Sequence, residues 1–450
     1  MPEHLNVYLH GDLIGAIRPN RRDRKRITFQ LDSAYRGAPN ALSEGFSLIP
    51  GLDTPDEHLS RFLGGYLPEG RHRIRLAEKA RVDESDLFGM FAHYGLTMAG
   101  ALSLRSDEPG DDTHPDYRPL SSSDLHRKLD RAREDYDLGN EPDSGRSTIA
   151  GFQAKLLLAR FDGKWHQPLR RAHSTHIVKP QRPSNPELIV DEFYSHQLTR
   201  QMGLSSFGSE LLDVSGSRFL AIERYDRRII RSGEVGVIHQ EDSAQALGLD
   251  WVHSVAKFQD YESPNRTDRP TAARIAELFG SMDDADVEAW LRYITFSILA
   301  GNSDAHAKNV SIIHGNHGSR IADLYDAVPL LHVNDDPERI RERRRPDRLA
   351  LAIDGEFSHH SVTVENLTHE AESWGSLSSS RVQHILNDAI ERFAVALEAE
   401  TPQTGASAGL KDRLGYNVDR LAFGKSIGKP KLPVGTWVRS RPWRRCGAGR

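Results

Sequence analysis

Gly301-Asn302-Ser303-Asp304-Ala305-His306-Ala307-Lys308-Asn309 follows a helical run whose Val287, Trp290, Leu291, Ile294 and Ile298 share one face, and Gly301 is the stop signal of that helix. Val310-Ser311-Ile312-Ile313 reads as the strand leaving the loop. A carboxylate and an amide with four residues between them on such a loop suit phosphoryl transfer. The Asp304 carboxylate can accept a hydrogen bond from an incoming hydroxyl and orient it. The Asn309 amide oxygen, a neutral hard ligand, can help hold Mg²⁺ against phosphates. Since this spacing also arises by chance, its meaning depends on the rest of the chain.

Downstream, Leu324-Tyr325-Asp326-Ala327 sets an acidic residue after a short apolar stretch, where a second metal-binding carboxylate is required. Taken alone, Asp326 reads equally as a helix N-cap. Upstream, His176-Ile177-Val178-Lys179-Pro180 puts Lys179 at the end of a β-like run, from which an ammonium reaches nucleotide phosphates; alone it is also an ordinary strand-end lysine. On the helix predicted over Val190 to Gln201, Glu192 is placed to pair with Lys179, with Asp191 as its rival. Ser147-Thr148-Ile149-Ala150-Gly151-Phe152-Gln153-Ala154-Lys155 precedes a strand and can cradle phosphates, with one glycine where such loops usually carry three. Gly424-Lys425-Ser426 resembles the end of a Walker A loop, but Asp419 stands where its first glycine belongs.

A chain of 450 residues with 38% apolar and 27% charged content is expected to fold as several globular units. No apolar run approaches the ~18 residues of a membrane span, and the opening residues lack a basic start followed by an apolar stretch, so a soluble cytoplasmic protein with no membrane partner is expected. The single cysteine, Cys446, excludes intrachain disulfides and thiolate metal cages. A net charge of -5 argues against wholesale coating of nucleic acid. Local basic runs exist, from Arg339 to Arg348 and from Arg420 to Arg450, and read most simply as solvated segments.

Residues 1–140 read as a small β-rich module with a linker. A hairpin over Leu5–Leu9 and Leu13–Ile17 turns at His10-Gly11-Asp12, and the Asp, Pro, Ser and Gly density of 106–146 marks the linker, with a helix expected near Leu125 to Tyr136. Residues 141–238 carry strands at Lys155–Phe161, His176–Lys179 and Arg218–Glu223, whereas 239–415 are mainly helical and 416–450 form a basic tail. The expected class is α+β, with a β-rich lobe and an α-rich lobe behind the small module.

In order, the chain carries T-I-A-G-F-Q-A-K, T-H-I-V-K, F-L-A-I-E-R-Y-D-R, H-Q-E-D, N-S-D-A-H-A-K-N and L-Y-D, with L-P-E-G at Leu67 to Gly70. This set resembles the HipA family, the kinase toxins of bacterial toxin-antitoxin pairs, over about residues 5 to 400. The resemblance implies a two-lobed protein-kinase-like fold behind a β-rich N-terminal domain, and an ATP- and Mg²⁺-dependent Ser/Thr protein kinase. It makes Asp304 the catalytic base or hydroxyl-orienting residue and gives Mg²⁺ to Asn309 and Asp326. Lys179 would contact the phosphates, and the loop from Ala150 through Gly151, Phe152, Gln153 and Ala154 to Lys155 would cover them. His306 and Tyr325 would line the nucleotide site, and Glu223, Arg224 and Tyr225 match the segment whose backbone grips adenine. The implied substrate class is an aminoacyl-tRNA synthetase, and the implied partner is a small helix-turn-helix antitoxin that ties the complex to operator DNA. The family modifies a serine in its phosphate loop; here the matching position is Thr148, with Ser147 beside it. A small-molecule or lipid phosphotransferase would use the same nucleotide residues, and an idle co-repressor on DNA is the alternative of another class.

Overall fold

The computed structural model describes residues 1–51, 56–106, 115–134, 155–315, 318–331 and 347–428. The chain begins with strands β1 (Leu5–Leu9), β2 (Asp12–Pro19) and β3 (Ile27–Leu31), helices α1 (Asp56–Gly65), α2 (Gly70–Ala80) and α3 (Leu87–Tyr94), and strand β4 (Leu102–Arg105). The sheet runs β3-β2-β1-β4. The hairpin predicted at the start is present, and its two turn residues, His10 (φ 53) and Gly11 (φ 93), both adopt the left-handed backbone that matches the twist of the strands. Alternation along β1 buries Leu5, Val7 and Leu9 against Phe62, Phe88 and Phe91 of the helices. At about 1.5–3 kcal/mol for each large apolar side chain buried, these three strand residues commit the sheet to its helices.

The segment read as a linker is partly structural. Strand β5 (Pro115–Pro119) pairs with β7, and helix α4 (Ser122–Glu134) packs Leu125, Leu129 and Ala132 against Leu156, Leu158, Val178 and Phe219. The helix expected near Leu125 to Tyr136 is this one, and its single apolar stripe faces the sheet. These elements complete a six-stranded sheet, β5-β7-β6-β8-β10-β9, with β6 (Leu156–Phe161), β7 (Lys164–Arg170), β8 (His176–Pro180), β9 (Ser209–Val214) and β10 (Ser217–Glu223). Helix α5 (Leu188–Gln201) is buried along nearly its whole length, which places it between layers and not on a surface.

Strands β11 (Arg227–Arg231) and β12 (Glu234–Val237) form a hairpin leading to the α-rich lobe. That lobe holds β13 (His239–Asp242), α6 (Ser243–Ala246), α7 (Ala272–Gly280), α8 (Asp284–Ala300), β14 (Ser311–Gly315), β15 (Gly318–Ile321), β16 (Arg348–Ile353), β17 (Glu356–Ser358), α9 (Val364–Ser373), α10 (Ser379–Ala399) and α11 (Leu410–Ala422). Phe279, Trp290, Phe296 and Phe393 centre its core, and the Trp290 indole donates to Ala272 O at 3.1 Å. Helix α11 crosses residue 415 and buries Leu414, Val418 and Leu421, so packed structure continues past the point where composition suggests a tail. The chain is thus a β-rich lobe and an α-rich lobe in a kinase-like arrangement, preceded by a small domain.

The small domain is fastened to both lobes by buried polar groups. Glu241 on β13 accepts from Ser43 Oγ (2.7 Å) and Glu44 N (2.7 Å). Asp226, at the junction of the lobes, accepts from Gly100 N (3.1 Å) and pairs with Arg224 and Arg227. Trp251 of the α-rich lobe sits in the core of the small domain, so close to Gly64 that any side chain there would collide with the indole.

Candidate active site

Helix α8 starts on Asp283, whose side chain accepts from Ala285 N, and ends on Gly301 at φ 70, where an L-residue with a side chain would be strained. The loop that follows is held by its own polar groups. Asp304 N donates to Asn302 Oδ1 (3.2 Å), and Asn309 N donates to His306 O (2.8 Å). Asn309 Nδ2 donates to Asp304 O (2.9 Å), so the amide oxygen is the atom a cation would use. A single 3₁₀ turn, Ala307–Asn309, then hands the chain to β14.

Strand pairing brings the lysine to this loop. Lys179 lies opposite Leu220 in the β8–β10 ladder, and its Nζ donates to Glu192 Oε1 on α5 (2.6 Å) and to Asp326 Oδ1 (2.8 Å). Glu192 is the partner; its rival Asp191 turns to the other side and accepts from Ser407 N and Oγ at 2.8 and 2.6 Å. The Glu192 side chain is fully buried, whereas Asp326 keeps 41% side-chain exposure, so Asp326 is the carboxylate an incoming ligand meets. Asp326 also sits at φ 52, a left-handed backbone uncommon outside glycine and asparagine, and it is not the N-cap of a helix.

Electrostatics follow from this packing. Burial works against ionisation of Asp326, but the Lys179 ammonium outweighs it and holds the carboxyl well below the usual range. Burial also works against charge on Lys179, yet Asp326 and Glu192 together raise its pKa. Lys155, at the start of β6, is pushed down to about 8 by burial and by the Lys179 charge. Burial drives His306 far below the ordinary imidazole value and keeps it neutral.

At the other end of the cleft the Tyr225 and Tyr325 rings stack, with centroids 5.4 Å apart. Tyr325 OH donates to Lys308 O (2.9 Å), and Tyr225 OH donates to Gln240 Oε1 (2.8 Å). The side chains of Glu223 and Arg224 serve the fold: Glu223 Oε2 accepts from Gly208 N (2.8 Å), and Arg224 pairs with Asp226. A cavity of about 500 Å³, of the size small-molecule sites occupy, brings together Lys155, Lys179, Glu223, Arg224, Tyr225, Asp304, His306, Asn309, Tyr325 and Asp326. Ser147, Thr148, Ala150, Gly151, Phe152, Gln153 and Ala154 lie outside the described residues, as do the basic runs 339–346 and 429–450.

Sequence reasoning missed part of the wall. Gly65, Tyr66, Glu69 and Ala99 of the small domain, together with Lys257 and Lys308, line the same cavity. The L-P-E-G stretch was the only local signal, and nothing in it announces a cleft. Among the described residues no helix is long and apolar enough to cross a membrane.

Comparison with known proteins agrees with this architecture. The family described as HipA-like C-terminal domain matches residues 147–397, and the HipA N-terminal domain matches residues 5–105. A putative kinase, Y4mE, of Sinorhizobium fredii is 31% identical over 337 residues, covering 72% of this chain and 76% of that protein. The serine/threonine-protein kinase toxin HipA of Shewanella oneidensis is 28% identical over 342 residues, covering 72% and 74%. Among solved structures, HipA from the Shewanella oneidensis complex of HipA, HipB and operator DNA superposes with a TM-score of 0.74 at 22% identity, over 92% of this chain and 95% of that one. A domain match spanning more than half of the chain, and a fold that agrees with it from end to end, place this chain in the HipA family of kinases.

Proposed function

We propose that the chain is an ATP- and Mg²⁺-dependent Ser/Thr protein kinase and the toxin of a toxin-antitoxin pair. The observation that carries this reading is Lys179 held between Glu192 and Asp326 at the wall of the cleft that also contains Asp304 and Asn309. Asp304 orients the acceptor hydroxyl and receives its proton. Lys179 and Lys155 supply positive charge to the nucleotide phosphates. Asn309 and Asp326 are the oxygen donors suited to Mg²⁺, and a half-buried carboxylate kept ionised by Lys179, beside an amide, fits that ion's preference for few protein ligands. An ion held by these two residues would neutralise phosphate charge. His306, neutral and buried, and the stacked tyrosines line the nucleotide pocket.

Partners follow from the family. A relative solved as a complex of HipA, HipB and operator DNA supports a small helix-turn-helix antitoxin that ties this chain to its operator. The resemblance makes an aminoacyl-tRNA synthetase the substrate class, with translation arrest as the outcome. The loop over 147–155 then acts as a self-inhibiting switch, since a phosphoryl group there adds about -1.5 to -2 charges and is repelled by the ATP phosphates it must cover. After incubation with Mg-ATP, mass spectrometry is expected to find phosphate on Thr148 or Ser147, with reduced ATP affinity. For the whole reading, expression of the wild type is expected to arrest growth while Asp304→Ala does not; arrest by both would overturn the kinase mechanism of toxicity.

A further inference from the structure

The roles assigned above use only the two kinase lobes, yet one wall of the cleft belongs to the small N-terminal domain. Glu69 occupies the N-cap position of α2 but makes no side-chain cap there. Its carboxylate instead turns to the α-rich lobe, where Oε2 accepts from Lys257 Nζ at 2.6 Å, and the two side chains keep only 8% and 6% exposure. Lys257 ends the 3₁₀ turn Ser254–Lys257, and the next residue, Phe258, sets its ring edge-on against His306 with centroids 5.1 Å apart. Lys257 therefore lies beside His306, the loop residue two positions past Asp304, and its charge helps suppress protonation of His306 after burial has done most. Lys308 of the same loop reaches the small domain too, donating to Gly65 O at 2.7 Å and lying 3.9 Å from Glu69 Oε1.

A buried ion pair is a poor device for stability, because desolvating two charges costs about what their attraction returns. A buried lysine at the rim of a phosphotransfer cleft has another use. During transfer, charge spreads over the equatorial oxygens of the moving phosphoryl group, and preorganised cations stabilise it. Lys179 is tied between Glu192 and Asp326 on the β-rich side, while Lys257 lines the same cleft beside the loop that carries Asp304.

We propose that Lys257 is a further catalytic residue, contacting the transferring phosphoryl group, and that Glu69 is its positioning residue, so that the N-terminal domain is a working part of the kinase site. The inference rests on the kinase reading above. In the step, the acceptor oxygen forms its bond to the γ-phosphorus as the bond from that phosphorus to the β–γ bridging oxygen breaks. The hydroxyl proton goes to Asp304, the electron pair leaves with ADP, and Lys257 stays protonated throughout.

The test is a double-mutant cycle on the full chain with Lys257→Gln, Glu69→Gln and the double variant. It reads initial transfer of label from Mg-[γ-³²P]ATP to the chain itself and to lysate proteins, the Kd for Mg-ATP, and the melting temperature. Each single substitution is expected to slow transfer roughly 10- to 100-fold while Mg-ATP affinity stays within a few-fold. Glu69→Gln is expected to cost nothing further in the Lys257→Gln background, because it acts through that lysine. The double variant leaves no unpaired charge of this pair, so it carries the test if a single variant unfolds. Wild-type rates in folded Lys257→Gln or in the folded double variant would overturn the proposal. So would multiplying effects of the two substitutions, or rate losses that only track the folded fraction. A folded wild type that transfers no label at all would instead sink the kinase reading, and this inference with it.

Discussion

Lys179 Nζ lies 2.8 Å from Asp326 Oδ1, a bond between residues 147 positions apart that joins the β-rich lobe to the loop beyond β15. The same ammonium meets Glu192 at 2.6 Å, and that glutamate is wholly buried. Lys179→Met therefore does two things. It leaves the Glu192 charge uncompensated in the interior, and it removes a cation from the phosphate site. Urea unfolding is expected to show a loss of about 3–5 kcal/mol, and calorimetry at least a tenfold weaker Mg-ATP interaction. Unchanged stability would mean that Glu192 does not depend on this lysine.

Asp304 and Asp326 share a cleft, and the roles proposed for them are separable by experiment. Asp304→Ala is expected to keep Mg-ATP affinity within a few-fold and abolish transfer, since that carboxylate acts on the acceptor. Asp326→Asn is the matched probe, because asparagine tolerates the φ of 52 there while losing the charge. It is expected to weaken Mg-ATP binding at least tenfold. Equal loss of binding in both variants would show the roles to be misassigned.

Asp226 clips the small domain to the junction of the lobes: its carboxylate pairs with Arg224 and Arg227 of its own segment and accepts from Gly100 N. Burial opposes its ionisation, but the two guanidinium groups hold it far below the usual carboxylate range. Asp226→Asn leaves both arginines buried without their counter-charge, and a loss of about 3–5 kcal/mol is expected. Hydrogen exchange should report early opening at residues 98–100. A variant with wild-type stability and exchange would remove the clip from this account.

How much of this was legible beforehand depended on whether the signal was local. The catalytic loop could be read because Gly301 ends an apolar helix and Asp304 and Asn309 keep a fixed spacing; β8 and α5 could be read from alternation and composition. The choice of Glu192 over Asp191 could not be made, because adjacent residues on a helix buried all round differ only in which neighbour they face. Strand β5 was hidden in a polar stretch that becomes structural only when β7 is present, whereas the helix in the same stretch was legible from its apolar stripe. Glu69 and Lys257 are separated by 188 positions, and no periodicity connects a glutamate at a helix start to a lysine in another domain. Arg224 was assigned to the nucleotide segment by its backbone, and the pairing of its side chain with Asp226 had no local signal.

Stability is expected to fall on the acid side. His176 and His359 are pushed down to about 4, and His196 and His239 to about 3, chiefly by burial. A histidine depressed on folding contributes stability that is complete above about pH 6.5 and is lost as pH falls toward the folded value, at up to about 1.4 kcal/mol per unit for each. Asp191 and Asp242, pushed up to about 6 by burial, act in the opposite sense: the stability they contribute is complete below about pH 4 and is lost as pH rises through 6. The four histidines outweigh them, so urea midpoints should drop from pH 7 to pH 5. A flat profile would mean that the imidazoles are not held neutral.

The central claim is that this cleft transfers phosphate from ATP to a protein hydroxyl by way of Asp304. The direct measurement is incubation of the purified full chain with Mg-[γ-³²P]ATP and bacterial lysate, followed by phosphoamino-acid analysis of the labelled proteins. The account predicts phosphoserine or phosphothreonine on a discrete protein with the wild type, and no such label with Asp304→Ala at equal Mg-ATP occupancy. Label that appears equally with both proteins, or with neither while Mg-ATP is bound, would contradict it.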